Sequence, residues 1–80
     1  MSDKKKISIC ELRQGQSARV VEILGGRGVA ERLNAMGVRP GKDITKVSSA
    51  PMKGPVTVSV DRCQIAIGYG MAQKVTVEVI

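Results

Sequence analysis

A short helix that carries its own stop signal, set among strands, constrains this chain more than any other feature. Val29, Leu33 and Met36 recur at i, i+4 and i+7, so they share one helical face. Gly37 follows the last of them, where a left-handed residue closes a helix without a Cβ penalty. Pro40-Gly41 then sets a turn before an extended run from Asp43 to Ser49. The spacing predicts a helix over about Val29–Met36. Nearly all the rest reads as strand, so the helix must cap a small β-structure.

The strands are legible from alternation. Val56, Val58 and Val60 alternate strictly with Thr57, Ser59 and Asp61, the pattern of a strand with one buried and one wet face. Ile65 and Ile67, then Val75, Val77 and Val79, repeat it. Ser17 to Leu24 read as a long strand, and Asp43 to Ser49 as another in which Ile44, Lys46 and Val47 do not alternate cleanly. Ile7 and Ile9 suggest a short strand or arm. Asp61-Arg62 reads as a two-residue hairpin turn, although it lacks the glycine such turns favour. Tyr69 to Ala72 read as a break.

Connections this short exclude a parallel sheet, which needs a long crossover between paired strands. The expected fold is mainly β: a small antiparallel barrel of about five strands, its last strand paired with an early one, capped by the helix. Residues 1–8 read as a basic N-terminal arm and residues 9–80 as the barrel domain. The core must be aliphatic, because Phe and Trp are absent and Tyr69 is the one aromatic residue.

Composition excludes several functions. There is no histidine, the commonest general base, and no Ser or Asp sits beside an evident catalytic partner. The chain therefore reads as non-enzymatic. Cys10 and Cys63 lie far apart and form no disulfide framework, and two thiols cannot complete a four-ligand zinc site. No metal site is expected from these residues. Gly25-Gly26-Arg27-Gly28 has neither the dinucleotide spacing nor the Lys-Ser/Thr ending of a phosphate loop. It reads as a turn needing positive φ. The charged start is followed by no export signal and no stretch approaches a membrane span, so a cytoplasmic, reducing setting is expected.

The formal charge of +6 suits solubility or attraction to an acidic partner. Nucleic acid is a poor candidate, because one tyrosine makes no base-stacking platform and the cations are spread along the chain. Met52, Tyr69 and Met71 fall in loops, where flexible thioethers suit adaptable protein contacts.

Taken together, these residues resemble the FeoA family of ferrous-iron uptake. The match runs through Leu12 with Gly15, Gly25-Gly26, Arg32-Leu33-x-x-Met36-Gly37-Val38-x-Pro40-Gly41 and Pro51-x-x-Gly54-Pro55. It continues through Ile65-Ala66-Ile67 and Ala72, and so covers about Ile9 to Val79. The resemblance implies an SH3-like barrel with no chemistry of its own and at most a weak or indirect association with Fe2+. It also implies a partner, the cytoplasmic region of the FeoB permease, which would hold the protein beside the inner membrane. The expected contact residues are Arg32, Arg39 and Lys42 on the helix–turn unit, Met52 and Lys53 on the proline-bounded loop, and Tyr69. Similar domains end some iron-dependent repressors, which makes a transition-metal-linked regulatory domain the alternative. A small RNA-binding barrel is the third reading. One departure stands out: many relatives carry an arginine after the Ile-Ala-x segment, where this chain has Gly68-Tyr69-Gly70.

Overall fold

Alternation translates directly into burial. Val56, Val58 and Val60 turn one face of their strand inward, and Ile67, Val75 and Val77 do the same on theirs. Ile65 is only half-buried, at the middle of a strand that forms one edge of the sheet. The computed structural model describes residues 5–80. It contains β1 (Lys6–Ser8), β2 (Ser17–Ile23), α1 (Arg27–Ala35), β3 (Asp43–Ser49), β4 (Val56–Val60), β5 (Cys63–Ile67), α2 (Tyr69–Ala72) and β6 (Val75–Val79). A single 3-10 turn, Ile9–Glu11, follows β1.

The six strands form one antiparallel sheet in the order β1-β6-β2-β3-β4-β5. The expected pairing of the last strand with an early one is doubled: β6 lies between β1 and β2, with Lys6 opposite Glu78 and Val20 opposite Val77. The count is one strand above the five expected, because Lys6–Ser8 join the sheet rather than standing apart as an arm. Residues 1–4 of the expected arm lie outside the described residues. The sheet does not zip shut, and β1 and β5 are its edges. The 3-10 turn after β1 packs on α2 after β5, spanning the interval between the two edges. No helix among the described residues is long and apolar enough to cross a membrane.

Imperfect alternation has a structural cause. The pairing of β3 with β4 shifts register between Lys46 and Ser48, leaving Val47 as an extra residue. β2 shifts likewise between Val20 and Glu22 against β6. Each bulge resets which residues face inward and adds local twist, as closing a small sheet requires.

Helix α1 ends as its sequence directs. Gly37 has φ +92°, the Val38 N–H donates to the Leu33 carbonyl at 2.9 Å, and the Gly37 N–H donates to Asn34 at 3.0 Å. These bonds satisfy the orphan carbonyls of the last turn, and the hydrophobic partners of this motif, Leu33 and Val38, are both fully buried. The helix starts two residues earlier than the apolar spacing indicates, because Gly25 and Gly26 both take positive φ and Gly26 becomes the N-cap. Val29 and Met36 are half-buried, so Leu33 alone is the deep plug. Tyr69 to Ala72, read as a break, form the single turn α2.

Asp61 and Arg62 make the expected hairpin turn without glycine, at φ +50° and +70°. A left-handed conformation costs a residue with a Cβ roughly 1–2 kcal/mol, and Arg62 lacks the short polar side chain that relieves Asp61. Arg62→Gly should therefore raise stability by about 0.5–1 kcal/mol, read as a higher midpoint in denaturant at unchanged slope. A lower midpoint would show that Arg62 makes a compensating interaction.

Candidate functional site

The loop between β3 and β4 is built to hold a side chain out. The Ala50 N–H donates to the Pro55 carbonyl at 3.0 Å, and the Gly54 N–H donates to Pro51 at 3.2 Å. Gly54 is required by closeness: a Cβ there would lie 2.6 Å from the Ala50 Cβ. At the apex, Met52 and Lys53 both take left-handed φ, +60° and +61°. Met52 is 97% exposed, although burial of an apolar side chain is the ordinary outcome. The left-handed pair is the backbone of a tight hairpin turn, as at Asp61-Arg62, and here it presents a bare thioether and an ammonium at the apex.

The helix–turn unit lies elsewhere. Arg32 and Arg39 are exposed, and neither forms an ion pair among the described residues. Lys42 differs: its Nζ lies 2.6 Å from the Asp61 carboxylate, tying the Pro40-Gly41 turn to the β4–β5 hairpin. Its charge is therefore partly matched within the chain. The other ion pair joins Arg19 and Asp43 at 2.9 Å. The Arg19 guanidinium holds the Asp43 carboxyl below the ordinary carboxylate range. That pair's contribution is present above the free-carboxylate pKa and fades as acid protonates Asp43. Both partners are more than half exposed, so the contribution is small.

Geometry separates the two expected contact elements. Lys42 immediately precedes β3 and the Met52 loop follows it, so they stand at opposite ends of a seven-residue strand. At about 3.3 Å per residue that is roughly 20 Å. Arg39 and Lys42 are thus brought together at one end, and Met52 with Lys53 at the other.

Tyr69 is half-buried at the start of α2, and its carbonyl accepts a hydrogen bond from the Cys10 thiol at 3.7 Å. Beside that contact lies a residue the alternation did not single out. Lys46 is only 4% exposed, and its ammonium donates to the carbonyls of Leu12 at 2.9 Å, Cys10 at 3.2 Å and Ile9 at 3.5 Å. A fixed cation thus gathers the carbonyls of the 3-10 turn, on which α2 rests. The one signal in the sequence is that Lys46 shares the inward face of β3 with Ile44. Burial pushes the Cys10 thiol up, only partly offset by the Lys46 charge, so Cys10 is a poor thiolate nucleophile or ligand. Cys63 is free and exposed. No group of three Cys, Asp or Glu side chains converges among the described residues.

Comparison with known proteins places this geometry. Residues 7–79 match the FeoA domain. A protein of Methanocaldococcus jannaschii named as an Fe(2+) transport protein A is 35% identical over 66 residues, 82% of this chain and 78% of that protein. The crystal structure of an iron uptake regulatory protein, FeoA, superposes with a TM-score of 0.87 at 34% identity, covering 95% of this chain and 99% of that one. A manganese-dependent transcriptional repressor also superposes at 0.87, matching 100% of this chain to 45% of its own. Its identity is 15%, so what the two share is the fold.

Proposed function

Because this chain belongs to the FeoA domain family, we propose that it serves Fe2+ transport as a docking module, binding the cytoplasmic region of an FeoB-type membrane permease and biasing its state. The Met52–Lys53 apex carries this reading: a bare thioether beside an ammonium that is in no ion pair among the described residues, on a loop held rigid at both ends. A pre-ordered loop loses little conformational entropy when it docks, so more of its contact energy appears as affinity. The exposed cations Arg32 and Arg39 speed encounter with an acidic surface more than they strengthen the complex. Such a module works by binding one state of its partner better than another. Iron is the partner's cargo in this reading, and the protein resides in the cytoplasm, beside the membrane through that partner.

The test pairs stability with binding. Met52→Ala with Lys53→Glu should leave the thermal midpoint within a few degrees and weaken association with the purified permease domain at least tenfold. Equal affinity at equal stability would move the contact to the surface around Arg32 and Arg39. Because the two elements stand at opposite ends of β3, one variant pair cannot mimic the other.

A further inference from the structure

A second surface, distinct from the Met52 apex, lies where α1 passes α2. Gly25, Gly28, Val29, Arg32 and Met71 line a groove of about 330 Å³ there. That is the lower end of roughly 300–1,000 Å³ for ligand pockets, enough for one large apolar side chain with its flanking backbone. Val29 and Met71 supply a half-buried apolar floor, and Leu24, 47% exposed, follows β2 and immediately precedes the groove's Gly25.

Its charge is of one sign. Arg32 lines the groove, and the Lys74 stem crosses Gly25 so closely that a Cβ there would lie 2.7 Å from the Lys74 Cδ. Neither cation is in an ion pair among the described residues, whereas Arg19 and Lys42 are both matched by carboxylates elsewhere. No acidic side chain lines the groove. Gly28 adds an independent observation. It sits in the first turn of α1, its φ is not left-handed, and a Cβ there would meet nothing within 4 Å. The absence of a side chain at Gly28 leaves the groove open along this side of α1.

We propose that the groove between α1 and α2 receives a short acidic peptide segment, an apolar side chain entering against Val29 and Met71 while flanking carboxylates face Arg32 and Lys74. The thioether of Met71 adjusts to side chains of different shape, so the groove reads the acidic–apolar pattern more than one residue type. The proposal deepens the docking reading above by giving the chemistry of the segment recognised, yet it can be tested without the permease.

The experiment is selection of random dodecapeptides displayed on phage against the immobilised full chain, followed by amide chemical-shift mapping of the winning synthetic peptide. Enriched sequences should place Leu, Ile or Phe between Asp or Glu residues. Shifts should centre on Gly25, Gly28, Val29 and Met71, and binding should weaken as salt rises. Arg32→Glu with Lys74→Glu should reduce affinity at least tenfold. Should that variant fold poorly, Gly28→Leu is the second probe: it suits the helix, fills the groove and should abolish binding without lowering the thermal midpoint. No enrichment, enriched peptides without acidic residues, shifts centred elsewhere, or undiminished binding to a folded Gly28→Leu chain would each overturn the proposal. Peptide capture without permease binding would keep the groove and refute permease docking. Permease binding untouched by Gly28→Leu would keep permease docking and overturn the groove as the place where the permease is recognised.

Discussion

Leu33→Ala should lower the unfolding free energy by about 2–5 kcal/mol, the range for removing a buried leucine from a site that cannot collapse. Leu33 has no exposed surface and is the deeply buried residue of α1. Its carbonyl also receives the Val38 N–H that seals the helix end, so the helix stop and the plug are the same residue. Its core neighbours are largely valines held on strands, and stiff β-branched side chains on a hydrogen-bonded sheet relax poorly into a void. A domain of this size has little stability to lose: at roughly 4–8 °C per kcal/mol, the thermal midpoint should fall by tens of degrees at the upper end. Denaturant unfolding monitored by far-UV circular dichroism is the measurement. A shift below about 0.5 kcal/mol would mean that α1 does not seal the barrel.

Lys46→Ala should cost about 2–4 kcal/mol for a different reason. The ammonium is the donor that three carbonyls converge on, and removing it leaves buried acceptors with no partner, at roughly 1–3 kcal/mol for a group left unsatisfied. Lys46→Met separates the causes, since it keeps most of the apolar stem and discards the donors. Its stability should fall between those of the wild type and the alanine variant. Hydrogen exchange gives the finer readout. The 3-10 turn supports α2, so amides of Tyr69–Ala72 should exchange faster in Lys46→Met while those of β3 and β4 stay protected. Uniform exchange across the domain would show that Lys46 supplies general stability rather than anchoring that corner.

These two residues mark how far the fold can be read from the chain. Leu33 was legible because helical spacing and Gly37 are local signals that tertiary structure had no cause to override. The valines of β4 and β6 were legible for the same reason. Lys46 was not, because a lysine reads as surface unless the carbonyls awaiting it are already known, and those lie more than thirty residues upstream. α2 is a single turn, too short to show a period. Val47 blurred its strand because a bulge is a property of two strands together, not of one. Among the candidate contacts, the prolines mark the loop that exposes Met52 and Lys53, and the helix–turn unit carries the exposed Arg32 and Arg39. The Lys42–Asp61 pair joins turns separated by nineteen positions, so spacing gave no warning that Lys42 was engaged. The groove at Gly28 was hidden for a like reason, since Met71 approaches it from α2.

The place of β6 between β1 and β2 has a kinetic consequence. The meander β2-β3-β4-β5 can assemble from neighbours, each strand closing a modest loop. Its partner β6 must arrive from beyond all of them, and β1 then needs β6 already in place. Chains whose decisive contacts span most of their length fold slowly, on the order of milliseconds to seconds, because loop entropy is lost before the contacts repay it. Until β6 docks, the apolar face of β2 and the underside of α1 stand open together. The interval before that docking is when this small valine-rich domain is most exposed to joining the wrong strand.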